Sequence, residues 1–117
     1  MSNLFEAKSP LGVVVVCPDE TWFNHVIVDN GHPIMDGNVE NVIAAIESPD
    51  AIFKSDQTQN RDVYFKLTTY NIQGINKRLY TKVVVENDST TAVVKSAWPQ
   101  NTMSGGIGGV VYVKPKL

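Results

Sequence analysis

The stretch "TWFNHVIVDNGHP", residues 21 to 33, contains both histidines of the chain, His25 and His32. Imidazole suits proton transfer because its unperturbed pKa lies near ~6.5. Metal-free RNA cleavage uses such groups. A base takes the proton of a 2′-hydroxyl, an acid protonates the leaving oxygen, and cations or donors hold the phosphate. For the phosphate the chain offers Arg61, Lys66 and Lys95, with hydroxyls on Ser96 and Tyr64. The bland reading stands beside this one. His25 also reads as a half-buried helix residue near Trp22, and His32 as a turn residue ahead of Pro33. Spacing does not decide between them.

Other chemistries find little support. No HExxH, no CxxC and no histidines at helical i, i+4 spacing occur, so neither a metal nor a cofactor is expected. "GGIGG" resembles a phosphate loop but leads toward a strand instead of a helix. The nucleophile elbow of a serine hydrolase is missing. Cys17 is the single cysteine and ends an apolar run, which reads as a small core residue.

Hydrophobic residues make up 43% and charged residues 19% of 117 positions, the balance of one globular domain. The opening "MSNLFEAK" lacks the pattern of a signal peptide, and the apolar run 13–17 is too short to span a membrane. A cytoplasmic domain without membrane contact is the expectation. Net charge is −2, which argues against a non-specific nucleic-acid binder. The distribution is uneven, however. Residues 1–60 carry two bases against nine acids, a net of −7, and residues 61–117 carry eight against three, a net of +5. The second half therefore has the charge for a local positive surface, and the bland reading, favoured before motifs are weighed, is that the two halves neutralise each other in the fold.

"VVVVC" (13–17) reads as a strand. A helix follows over about 19–29, capped by Asp19 and ended by Asn30-Gly31. A second helix fits 38–48, with Asn38 as cap and Val39, Val42, Ile43 and Ile46 on one face. Strands are expected over 51–55, 62–70, 80–87 and 91–98, with a hairpin loop at "ENDST" and a last strand in "VVYVK". "NIQGINKR" reads as a long loop. The fold class expected is α+β, with N-terminal helices packed on a four- to five-stranded antiparallel sheet.

Taken in order, "W..H......HP", "AIESPDAI", "N.DVYFK", "KVVVE" and "VVKSAW" resemble phage-associated domains of the Barnase–EndoU–Colicin–RelE nuclease superfamily. The resemblance covers about residues 20–98 of a single domain and leaves the glycine-rich segment 103–117 outside it. It implies a metal-independent ribonuclease or toxin-like domain of phage or mobile-element origin. His25 and His32 would handle protons and Ser96 would stand where the family usually has threonine. Tyr64 and Lys66 would line the cleft, with Lys95 beside Ser96 and Arg61 near the phosphate. No arginine lies between the histidines and Asn60, where several superfamily members have a basic residue. RNA is the partner this implies, together with a host or immunity protein. The competing expectations are a non-catalytic RNA- or protein-binding module and a phage structural protein that adds strands between copies.

Overall fold

Long runs of β-branched and aromatic residues dominate this chain, and sheet dominates its structure. A computed structural model describes residues 2–29, 33–88 and 90–115. Seven strands form one sheet: β1 (Asn3–Lys8), β2 (Val14–Pro18), β3 (Ala51–Ser55), β4 (Arg61–Ile72), β5 (Ile75–Asp88), β6 (Thr91–Gln100) and β7 (Ile107–Val113). Their order is β1-β2-β6-β5-β4-β3-β7. Every neighbouring pair is antiparallel except β2 with β6, where Val15 faces Ala92 in a parallel register.

The sheet curls as strand twist accumulates. The Tyr64 hydroxyl on β4 donates to Ser9 Oγ, just past β1, at 2.7 Å, although three strands separate β4 from β1. The concave face holds one α-helix among the described residues, α1 (Val39–Glu47), with a π-helical segment Thr21–Asp29 and a 3-10 turn Pro33–Met35. Trp22, Val26, Met35, Val42 and Ile46 pack there against Val15, Tyr64, Val83, Val85 and Val94, all nearly or fully buried. Each large apolar side chain so covered stabilises by roughly 1.5–3 kcal/mol. The polar groups on this face are satisfied in turn. Thr68 and Thr81 hydroxyls share a hydrogen bond of 2.7 Å, and Tyr70 joins them through its own hydroxyl. No helix among the described residues is long and apolar enough to cross a membrane.

The expected N-terminal helices on a four- to five-stranded antiparallel sheet are thus overturned by a seven-stranded mixed sheet. The reasons are local. "NLFEAK" buries Phe5 and Ala7 and forms β1, which then pairs with β2. The segment expected as a long loop is two strand ends and a tight turn. Gln73 (φ 52°) and Gly74 (φ 83°) both take the left-handed conformation that a two-residue hairpin demands, so pairing continues to Ile72 with Ile75. The glycine-rich tail supplies β7, an edge strand on β3. The first expected helix is π-helical, a geometry rarely sustained for nine residues. The second stands, although the Asn38 side chain donates to the Ile34 carbonyl (2.7 Å) instead of capping.

Candidate functional site

Alternation along a strand sends neighbouring side chains to opposite faces. On β4, Tyr64 enters the core under the helical layer while Arg61, Val63 and Phe65 point to the other face, where Arg61 is part-exposed and Val63 and Phe65 are buried. Register carries this across the sheet: Arg61 pairs with Glu86, Val63 with Val84 and Phe65 with Lys82, while Val84 and Lys82 face Ser96 and Trp98 on β6. Between those two strands the register slips. Val84 faces Ser96 but Val85 faces Val94, leaving Lys95 as the extra residue of a β-bulge. A bulge re-aims a side chain, and here the Lys95 ammonium approaches Glu86 Oε2 at 3.8 Å. Arg61 Nε donates to Glu86 Oε1 at 3.3 Å from the other side.

A groove of about 630 Å³ opens on this face, lined among others by Arg61, Lys82, Lys95, Ser96, Trp98 and Gly105. Residues 101–106 fold along it as a strap. Lys82 Nζ donates to the carbonyls of Gly105 (2.7 Å) and Ser104 (3.1 Å), and lies 4.8 Å from the centre of the Trp98 ring. Gln100 adds to the tether. Its Oε1 accepts from Trp98 Nε1 at 2.9 Å, and its Nε2 donates to the carbonyls of Thr102 and Ser104. Gly105 adopts φ +87°, a left-handed conformation that favours glycine, and a Cβ there would sit 3.1 Å from Lys82 Nζ, which would have to shift slightly. Burial lowers the Lys82 pKa and the nearby Asp56 charge partly offsets that. Lys82 is therefore a structural cation that fixes the strap.

Arg61 and Lys95 differ from it. Their side chains are 32% and 41% exposed, and their partner Glu86 is 40% exposed. Ion pairs so open to water are worth only ~0–1 kcal/mol. An incoming phosphate can therefore share these cations at small cost. Two cations beside a serine can bind a phosphodiester, and the carboxylate between them can accept a proton next to it.

Three of the seven residues singled out from sequence, Arg61, Lys95 and Ser96, meet in this groove. Tyr64 is fully buried on the opposite face, where burial raises its pKa, the Ser9 hydrogen bond opposes this and the Asp62 charge adds to it. Lys66 shares the parity of Tyr64 and donates to the Ser48 carbonyl at 2.9 Å. The backbone at His25 belongs to the π-helical segment, which packs on the covered face through Trp22 and Val26. The His25 side chain and all of His32 lie outside the described residues. Among the described residues, no three His, Cys, Asp or Glu side chains cluster as metal ligands would. Burial, then the Asp19 charge, push the Cys17 thiol up to about 12, so it is inert as a nucleophile at neutral pH. Sequence reasoning missed Glu86 and Lys82. The signal was present in "KVVVE", where Lys82, Val84 and Glu86 alternate along one face.

Comparison of the chain with family models, with curated proteins and with solved structures returned no match.

Proposed function

We propose that the chain acts on RNA through the open face of its sheet, as a metal-independent ribonuclease of toxin-like kind in the cytoplasm. The observation that supports this best is the bulge-built group of Arg61, Glu86 and Lys95 beside Ser96. In this reading Arg61 and Lys95 hold the phosphate and neutralise charge that develops on it. Glu86 takes the proton of the 2′-hydroxyl, whose oxygen forms a bond to phosphorus as the bond to the 5′-oxygen breaks. The products are a 2′,3′-cyclic phosphate and a 5′-hydroxyl. The leaving 5′-oxygen takes its proton from water in the open groove, because the segment carrying His25 packs on the other side of the sheet.

A second reading has its own support. The segment carrying His25 packs on the other side of the sheet, and among the described residues no histidine lines the groove. A module that grips RNA without cutting it needs no such acid.

The experiment is incubation of a mixed transfer and messenger RNA panel in EDTA with wild type, Glu86→Gln, His25→Ala and His32→Ala. Cleavage leaving 2′,3′-cyclic ends, lost in Glu86→Gln with RNA binding retained, is the expected result. Binding without cleavage by the wild type selects the second reading. Absence of both overturns the RNA reading.

A further inference from the structure

The β4–β5 hairpin extends beyond its neighbours. β3 pairs with β4 only through Phe65, and β6 pairs with β5 only from Tyr80 onward. The remainder, Leu67 to Leu79, is a two-stranded arm. Its inner face is used: Tyr70, Ile72 and Leu79 belong to the core, and Asn41 of α1 donates to the Thr69 carbonyl at 3.1 Å. Its outer face has the parity of the groove face, lies beyond the strap that Lys82 holds, and carries Thr69, Asn71, Asn76 and Arg78 by register.

These four form a polar ladder. Arg78 Nη1 donates to Thr69 Oγ1 at 3.1 Å, and Asn71 Nδ2 donates to Asn76 Oδ1 at 3.2 Å. The ladder holds a guanidinium and two amides on an exposed ribbon with a hydrogen-bonding core behind it. No carboxylate opposes them: from Val63 to Val85 the chain has four bases and no acid. Tyr80, half-buried, stands on the same face between Lys82 and Arg78. The distance along β5 from Val84 in the groove to Arg78 is about 20 Å at the usual strand rise.

From this we infer that the arm is a base-reading site for single-stranded, purine-rich RNA. The inference rests on the reading that the groove binds RNA. The two places divide the work. Contacts to phosphate position a nucleic acid, and contacts to base edges specify it. Arg61 and Lys95 supply the first. Arg78 and Asn76 supply the second, because a guanidinium pairs with guanine O6 and N7 and a carboxamide with adenine N6 and N7, while Asn71 is held by the Gly74 N–H and by Asn76 and orients that amide. The Tyr80 ring is a surface on which an intervening base stacks. Single-stranded RNA suits this geometry because its bases are free to turn toward the sheet.

The test is fluorescence anisotropy with single-stranded purine and pyrimidine oligonucleotides of about 4 and about 12 nucleotides, bracketing typical single-strand sites. The proteins are wild type, Arg61→Ala/Lys95→Ala, Asn76→Ala/Arg78→Ala and Arg78→Lys, each checked for folding by circular dichroism. Wild type should prefer the long purine strand by roughly tenfold or more. The arm double variant should lose that preference and bind the long pyrimidine strand within about twofold of wild type. Arg78→Lys keeps the charge but loses the fork, and should also lose preference for guanine. The groove variant should weaken on every strand. An arm variant that retains the purine preference overturns the inference and leaves the RNA reading intact. So does an arm variant that weakens equally on all strands, since that is charge alone. Wild type that binds none of the strands overturns both.

Discussion

The two faces of the sheet are built from the same strands and do opposite things. On the covered face, Tyr64, Tyr70, Thr68 and Thr81 bury their hydroxyls and find partners for them in Ser9 and in one another. On the open face, one residue out of phase, Arg61 and Lys95 sit in water around a carboxylate. Charge follows the same division. The segment from Ser9 to Phe53, which holds the whole helical layer, carries seven acids and no lysine or arginine. The bases are concentrated on β4 to β6. The charge split of the sequence is thus a division between the helical layer and the strands, and of the strand bases Arg61, Arg78 and Lys95 lie part-exposed or exposed on the face away from the helices. Burial makes the first face costly to change and exposure makes the second cheap to change. Function is therefore expected where stability is least at stake.

The sharpest way to break that comparison is to mutate each face and read both properties. Trp22→Ala should destabilise by about 3–5 kcal/mol, since a fully enclosed aromatic leaves a cavity. Lys95→Ala should change stability by less than about 1 kcal/mol. Urea melts of both variants check this. A large loss in Lys95→Ala would show that the open face is part of the stabilising core.

Alkali sharpens the comparison with a smaller effect. Tyr64 and Tyr70 have pKa values raised above 10.0, in each case mainly by burial and against their hydrogen bonds. A raised pKa in the folded state means that the contribution is complete below the unfolded value and is lost as pH rises through the folded one. Stability should therefore hold to about pH 10 and fall above it. In absorbance titration at alkaline pH, part of the tyrosine signal should appear only with unfolding. A full signal from all four tyrosines in the folded protein would contradict the buried assignment.

Much of this was legible in the residues. The i, i+3, i+4, i+7 spacing of Val39, Val42, Ile43 and Ile46 marks α1, and Val42 and Ile46 are buried as that spacing requires. The strand segments 62–70, 80–87 and 91–98 all lie inside real strands. What failed has physical causes. β1 is short and carries Glu6 and Lys8 beside its buried residues, so it lacks the composition of a strand. The turn at Gln73-Gly74 lacks the usual Asn-Gly signal, and the asparagines around it suggest a loop although they form a cross-strand pair. β7 contains Gly108 and Gly109, which local propensity disfavours and pairing with β3 accommodates. At the site, Arg61, Lys95 and Ser96 were recognisable by type. Tyr64 and Lys66 share the strand of Arg61 but not its face, a distinction set by parity relative to the core. Lys95 reaches Glu86 only because a bulge shifts the register, which no spacing rule reveals.

The most direct test of the central claim is the salt dependence of RNA affinity for wild type and Arg61→Ala/Lys95→Ala. If the open face holds phosphates, the wild type should lose affinity steeply with salt, with a log–log slope of about −0.7 per phosphate contact on a single strand. The double variant should show a slope shallower by about 1.4 and weaker binding at low salt. Equal slopes and equal affinities for the two proteins would contradict the account, because RNA would then be held elsewhere on the molecule.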